Sequence, residues 1–146
     1  MRLRGYPTWF YQLLLAIILA MLGTGLLLIP AALEMRLEWE VPWRLQGDAQ
    51  IGTAALHALM SFLMMVVVGA LWSVHMRAGW RHRKNHRSGL FMAALMLFLL
   101  LSALGIYYFA DDAWSLDASV IHIVAGVLLP TLLVYHIIRG RRIYRH

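Results

Sequence analysis

Four apolar stretches, each long enough to cross a bilayer, constrain this chain more than any other feature: residues 8–33, 51–77, 88–109 and 116–138. About 20 apolar residues span the hydrocarbon as a helix. Open strands cannot satisfy their backbone groups in lipid, so each stretch is predicted to be helical. The composition agrees, with 62% hydrophobic residues and a mean hydropathy of +0.69. That excludes an ordinary soluble domain. No repeat or low-complexity segment divides the 146 residues. The expected fold is one all-α membrane domain over residues 1–146, a four-transmembrane-helix bundle. The start, MRLRGYPTWFYQLLLAIILAMLGTG, is basic but continues into a long apolar run with no convincing cleavage site. It reads as a retained helix and not as a signal peptide.

The connections alternate in charge. Arg2 and Arg4 precede the first stretch, and Arg77, Arg81, Arg83, Lys84 and Arg87 come after the second. Arg139, Arg141, Arg142 and Arg145 form the tail. The acids Glu34, Glu38, Glu40, Asp48, Asp111, Asp112 and Asp117 all lie in the other two loops, with Arg36 and Arg44. Eleven of the thirteen Lys and Arg residues therefore fall on one side. The positive-inside rule places both termini in the cytoplasm and makes the second and fourth helices parallel. The net charge of +6 is explained by these flanks, and nucleic acid is not an expected partner. Trp9, Trp39, Trp43, Trp72, Trp80 and Trp114 sit near span ends or in the first outer loop, as interfacial belts do.

Histidines interrupt two of the apolar stretches. His122 and His136 are fourteen residues apart in the fourth, on one helix face and about 21 Å apart along the axis. His57 and His75 are eighteen apart in the second, which is five full α-turns and about 27 Å. On parallel helices His57 meets His122 at the outer side and His75 meets His136 at the inner side. A ligating side chain inside a span is costly and needs a partner. Two facing imidazoles at each of two depths are what two six-coordinate haems require, since a porphyrin supplies four nitrogens and needs two axial ligands. A zinc site needs more ligands than either depth offers. There is no cysteine, which excludes iron–sulfur clusters and covalent haem attachment. The expected cofactors are two non-covalent b haems between helices 2 and 4, held by His57 and His122 outside and by His75 and His136 inside.

Other residues carry less. Arg77 and Arg139 are placed to pair with propionates of the inner haem, or to snorkel. His82 and His86 lie in the basic segment WRHRKNHRSG, more in keeping with a solvated turn near phosphates than with a metal site, and His146 is terminal. Gly23, Gly25, Gly69, Gly105 and Gly126 leave room either for a porphyrin or for close helix packing. Pro130 is expected to kink the fourth helix and to help reconcile the fourteen- and eighteen-residue spacings.

These residues resemble the four-helix b-type cytochrome subunits of formate dehydrogenases and nickel–iron hydrogenases, with bacterial cytochrome b561. ASVIHIVAGVLLPTLLVYHII looks like the family's haem helix, with its two histidines fourteen apart. LHALMSFLMMVVVGALW resembles its second helix, and TWFYQLLLAIILAMLGTG its first, including the TG step. The resemblance covers most of the chain, and it implies haem ligation by His57, His122 and His136. It departs early in the first helix, where the family commonly places a histidine and this chain reads YPTWFY. His75 must substitute there, or the inner haem is absent.

The expected function is transmembrane electron transfer, as a subunit of a larger oxidoreductase in a bacterial inner membrane. No soluble catalytic domain is present in the sequence, so a redox partner is needed outside. The resemblance implies a periplasmic dehydrogenase, reductase or cytochrome c subunit, with membrane quinone as the other partner. Two rival readings stand beside this one. The first is a haem-free or single-haem membrane anchor of a respiratory complex. The second is a small histidine-dependent metal transporter.

Overall fold

A computed structural model describes residues 6–83 and 85–143. Arg2, Arg4, Lys84, Arg145 and His146 lie outside the described residues. Four helices are present among the described residues: α1 over Thr8–Leu37, α2 over Gly47–Arg81, α3 over His86–Tyr108 and α4 over Asp112–Ile143. Each contains an 18-residue window with a mean hydropathy between 2.1 and 2.6, long and apolar enough to cross a membrane. The chain is an all-helical, multi-pass membrane protein. Only a small share of each span is buried inside the protein, so most of its apolar surface is left for lipid.

Most of the helices outrun their sequence-based limits. At about 1.5 Å per residue, the 30 residues of α1 measure about 45 Å, against about 30 Å of hydrocarbon. Run length detects only the part inside the hydrocarbon. Beyond it, charged residues such as Glu34, Asp48, Arg81 and Arg141 are well solvated while the backbone ladder continues. Those at the termini also match the helix dipole. Asp48 and Asp112 lie in the first turns of α2 and α4, and Arg36, Arg141 and Arg142 in last turns.

α2 is not uniform. It is α-helical over Gly47–Leu71, turns π-helical over Trp72–Met76 and resumes as α-helix over Arg77–Arg81. The wider turn loosens the carbonyls beneath it. The Ala70 carbonyl takes two hydroxyls, Tyr6 and Ser73, each at 2.7 Å. α4, by contrast, runs unbroken through Pro130.

The chain divides into two compact units, Met1–Arg77 and Ala78–His146. In the first, α1 and α2 run antiparallel. Tyr6 reaches Ala70 near one end, Thr24 reaches His57 further along, and Glu34 pairs with Arg44 in the connecting loop. Glu38, left-handed at φ 55°, ends α1 by donating its N–H to the Glu34 carbonyl.

In the second unit α3 and α4 form a tighter antiparallel hairpin. Asp111 starts α4 by accepting the Trp114 N–H on its side chain at 3.0 Å. Ser115 bonds back to the Ile106 carbonyl at 3.2 Å. Close approach here depends on Gly105. A Cβ on that residue would lie 2.8 Å from the Phe109 ring and 3.0 Å from the Ala118 Cβ. Gly23 has open space instead, with nothing within 4 Å of such an atom. Gly105→Val is therefore expected to destabilise the hairpin by about 1–3 kcal/mol, the cost of overpacking. Gly23→Val should lack this penalty. Thermal unfolding of the purified variants in detergent, monitored by circular dichroism, checks the contrast.

Candidate functional site

The four span histidines fall into both units. His57 and His75 are on α2, in the first; His122 and His136 are on α4, in the second. Within its unit, each of His57, His122 and His136 turns its ring toward a hydroxyl on the adjacent helix.

His57 is half-buried, with its Nδ1 2.9 Å from the Thr24 Oγ1 of α1. That hydroxyl has one proton, and the Ala20 carbonyl at 2.7 Å takes it. Thr24 therefore accepts, and His57 Nδ1 carries the hydrogen. His122 Nδ1 lies 3.0 Å from Ser102 Oγ and 3.1 Å from the Leu99 carbonyl, both on α3. A carbonyl can only accept, so this Nδ1 is protonated too. His136 Nδ1 lies 2.9 Å from Ser88 Oγ at the start of α3. Ser88 directs its own proton to the Asn85 side-chain oxygen at 2.7 Å, with the Asn85 carbonyl at 3.1 Å, and so also accepts.

Protonation at Nδ1 has a direct chemical consequence. It leaves the lone pair of each neutral ring on Nε2, the nitrogen that then coordinates a metal. Metal-bound histidines ordinarily donate their other N–H to an oxygen, which fixes the tautomer and ring plane. Three residues here have that arrangement. The donor set is neutral nitrogen without thiolate or carboxylate, which suits an axial haem ligand. Among the described residues, no three His, Cys, Asp or Glu side chains converge as a metal-binding group.

His75 stands apart. It is exposed and lies in the π-helical turn Trp72–Met76. A face shared by His57 and His75 requires a regular α-helix between them. One residue absorbed in a wider turn rotates the later residues by up to about 100° and shortens the axial interval by about 1.5 Å. The second effect narrows the mismatch with the fourteen-residue interval of α4. The first turns His75 from the position an unbroken α-helix would give it relative to His57.

The remaining candidates lie in basic segments of the chain. Arg77 is exposed, just beyond the π turn. Arg139 donates to the Tyr135 hydroxyl at 3.0 Å. His86 donates Nδ1–H to the Arg83 carbonyl at 2.9 Å, and His82 is exposed. All six tryptophans are exposed, at positions near helix ends or in the loop between α1 and α2.

Sequence reasoning missed Thr24, Ser88, Ser102 and Asn85. Their burial sets three of them apart once the structure is in hand: in a protein whose helices expose most of their surface, Thr24, Ser88 and Ser102 are only 7–8% exposed. Comparison with protein families, curated proteins and solved structures gives no match. The reading of the site therefore rests on its own geometry.

Asn85 offers a test of how tightly the His136 end is built. It is left-handed at φ 56°, and its Nδ2 donates to the His136 carbonyl at 3.0 Å. Asn85→Ala should cost about 2–4 kcal/mol, combining left-handed strain with two lost side-chain hydrogen bonds, one given to the His136 carbonyl and one accepted from Ser88. Asn85→Gly removes only the bonds and should cost about 1–2 kcal/mol. Equilibrium unfolding in detergent checks the order.

Proposed function

We propose that this protein is a di-haem b-type cytochrome that carries electrons across a membrane. His57 and His122 hold an outer haem, and His75 and His136 an inner one. The observation that carries the reading is that Nδ1 of three span histidines lies 2.9–3.0 Å from a hydroxyl on the adjacent helix, an arrangement that assigns the ring hydrogen to Nδ1. Packing alone does not require the same nitrogen each time. The axial intervals of the histidine pairs on α2 and α4, which the π turn brings nearer to each other, support the pairing by depth.

When bound, each haem supplies a one-electron couple between ferric and ferrous iron. The chain's own residues do the rest. The imidazoles would hold the iron, and the hydroxyls hold the rings. Apolar helix surface excludes water, and Arg77 and Arg139 neutralise propionates. Both termini are cytoplasmic, in a bacterial inner membrane. The chain works as a subunit of an oxidoreductase, linking membrane quinone to a periplasmic dehydrogenase, reductase or cytochrome c. The basic inner rim is where quinone exchanges electrons.

One observation favours a second reading. His75, exposed in its π turn, differs from the other three histidines. In that case the chain holds a single outer haem and serves partly as an anchor.

Haem content separates the two. Pyridine-haemochrome assay of the purified chain should give two haems, both removed by acid–acetone. His75→Ala should then lose one, or convert it to high spin. Retention of two low-spin bis-histidine haems in that variant would exclude His75 as a ligand. A count of one in the wild type selects the second reading, and a count of zero removes both.

Topology is tested independently. A reporter joined after His146 should be active only in a form that works in the cytoplasm, because the basic clusters flank that side. Activity of a periplasmic reporter there would reverse the inner and outer assignments.

A further inference from the structure

The three histidine contacts share a local design. In each, a hydroxyl residue on the facing helix is succeeded at once by a small one: Thr24–Gly25, Ser88–Gly89 and Ser102–Ala103. The hydroxyl meets the histidine Nδ1. At two of the sites the glycine makes room for the adjoining ring carbon. A Cβ on Gly25 would come within 3.2 Å of His57 Cε1, and one on Gly89 within 3.6 Å of His136 Cε1. In all three the hydroxyl also lies within bonding distance of the carbonyl three residues earlier, at Met21, Asn85 and Leu99. Hydroxyls in helices commonly bond back in this way. The effect is to commit the hydroxyl proton to its own helix, so that the oxygen can only accept from across the interface.

The His136 seat differs from the others in one respect that makes it decisive. There the Asn85 amide nitrogen also faces Nδ1, at 3.3 Å. An amide N–H can only donate. It therefore demands a bare Nδ1, the opposite of what the Ser88 oxygen demands. Two distances favour Ser88. Its contact is shorter, at 2.9 Å against 3.3 Å. The Asn85 amide is also drawn to a better acceptor, the His136 carbonyl at 3.0 Å.

We propose that Ser88 is a positioning residue that selects the tautomer of His136, holding Nε2 as the ligating nitrogen against the competing amide of Asn85. This deepens the haem reading and rests on it for the identity of the ligated group. Loss of the Ser88 oxygen hands Nδ1 to the Asn85 amide, moves the ring hydrogen to Nε2 and blocks ligation. At His122 the same loss has no such effect, because the Leu99 carbonyl remains to accept the Nδ1–H.

The test uses the full-length chain, with 15N-labelled imidazoles, in lipid nanodiscs without haem. Nitrogen shifts report the tautomer of each ring directly. In the wild type, His136 should show a protonated Nδ1 and a bare Nε2. Ser88→Ala should reverse this, Ser88→Thr should not, and Ser102→Ala should leave His122 unchanged. The double variant Ser88→Ala with Asn85→Asp replaces the competing donor by an acceptor and should restore the wild-type tautomer. A merely structural role for Ser88 predicts no such rescue. A wild-type His136 protonated at Nε2, or an unchanged tautomer in Ser88→Ala, overturns the proposal. Haem titration gives the second arm. Ser88→Ala should weaken the His136 site by about 10–100-fold and leave the other haem in place. Full haem retention despite a reversed tautomer overturns the link to ligation. A wild type that binds no haem overturns the haem reading, while the nitrogen shifts still decide the role of Ser88.

Discussion

The contact on which the candidate site depends is a hydrogen bond between an imidazole on one helix and a hydroxyl on its antiparallel neighbour. Lipid offers no water to a polar group, so an imidazole in a span must find its partner within the protein. A carboxylate is the usual strong acceptor for a ligating histidine. In hydrocarbon it would carry its own desolvation cost. A serine or threonine avoids this. Its proton is satisfied by its own helix, and its lone pairs face outward. The result is an uncharged acceptor, and a ring that stays a neutral imidazole.

Magnitudes separate what these bonds do from what holds the helices together. Interhelical hydrogen bonds in membranes contribute about 0.6 kcal/mol on average. Three of them, divided between two units, cannot account for the pairing of α1 with α2 and of α3 with α4. Close packing does more. Gly105 lets the start of α4 lie against the end of α3, where Ala118 and the Phe109 ring fill the space a side chain would take. The hydroxyls act on orientation, since each fixes one nitrogen of one ring.

Much of this was legible in the residues. Spans emerge from run length, and the face shared by His122 and His136 from a period of 3.6. Helix ends were less legible, because the backbone ladder ignores the point where hydrocarbon gives way to headgroups. The π turn left no mark. WSVHM contains neither proline nor glycine, so the wider turn has no sequence cue. Thr24, Ser88 and Ser102 were hidden for another reason. Serine and threonine in a span usually bond to their own helix, and only the neighbour's placement reveals a second contact. Asn85 lies in a basic segment of the sequence; its left-handed backbone and its grip on α4 come from tertiary structure.

The π turn has a consequence at the end of α2. A helix is a screw, and one surplus residue in a single turn advances its thread without advancing its length in proportion. Everything beyond Met76 is thereby re-clocked. One surplus residue turns Arg77 and Arg81 by up to about 100° from where an unbroken α-helix would aim them. Their azimuth is set by a local backbone insertion and not by their own spacing. Shortening WSVHM by one residue would keep every span, and would swing this cationic pair about a quarter of the way around the axis.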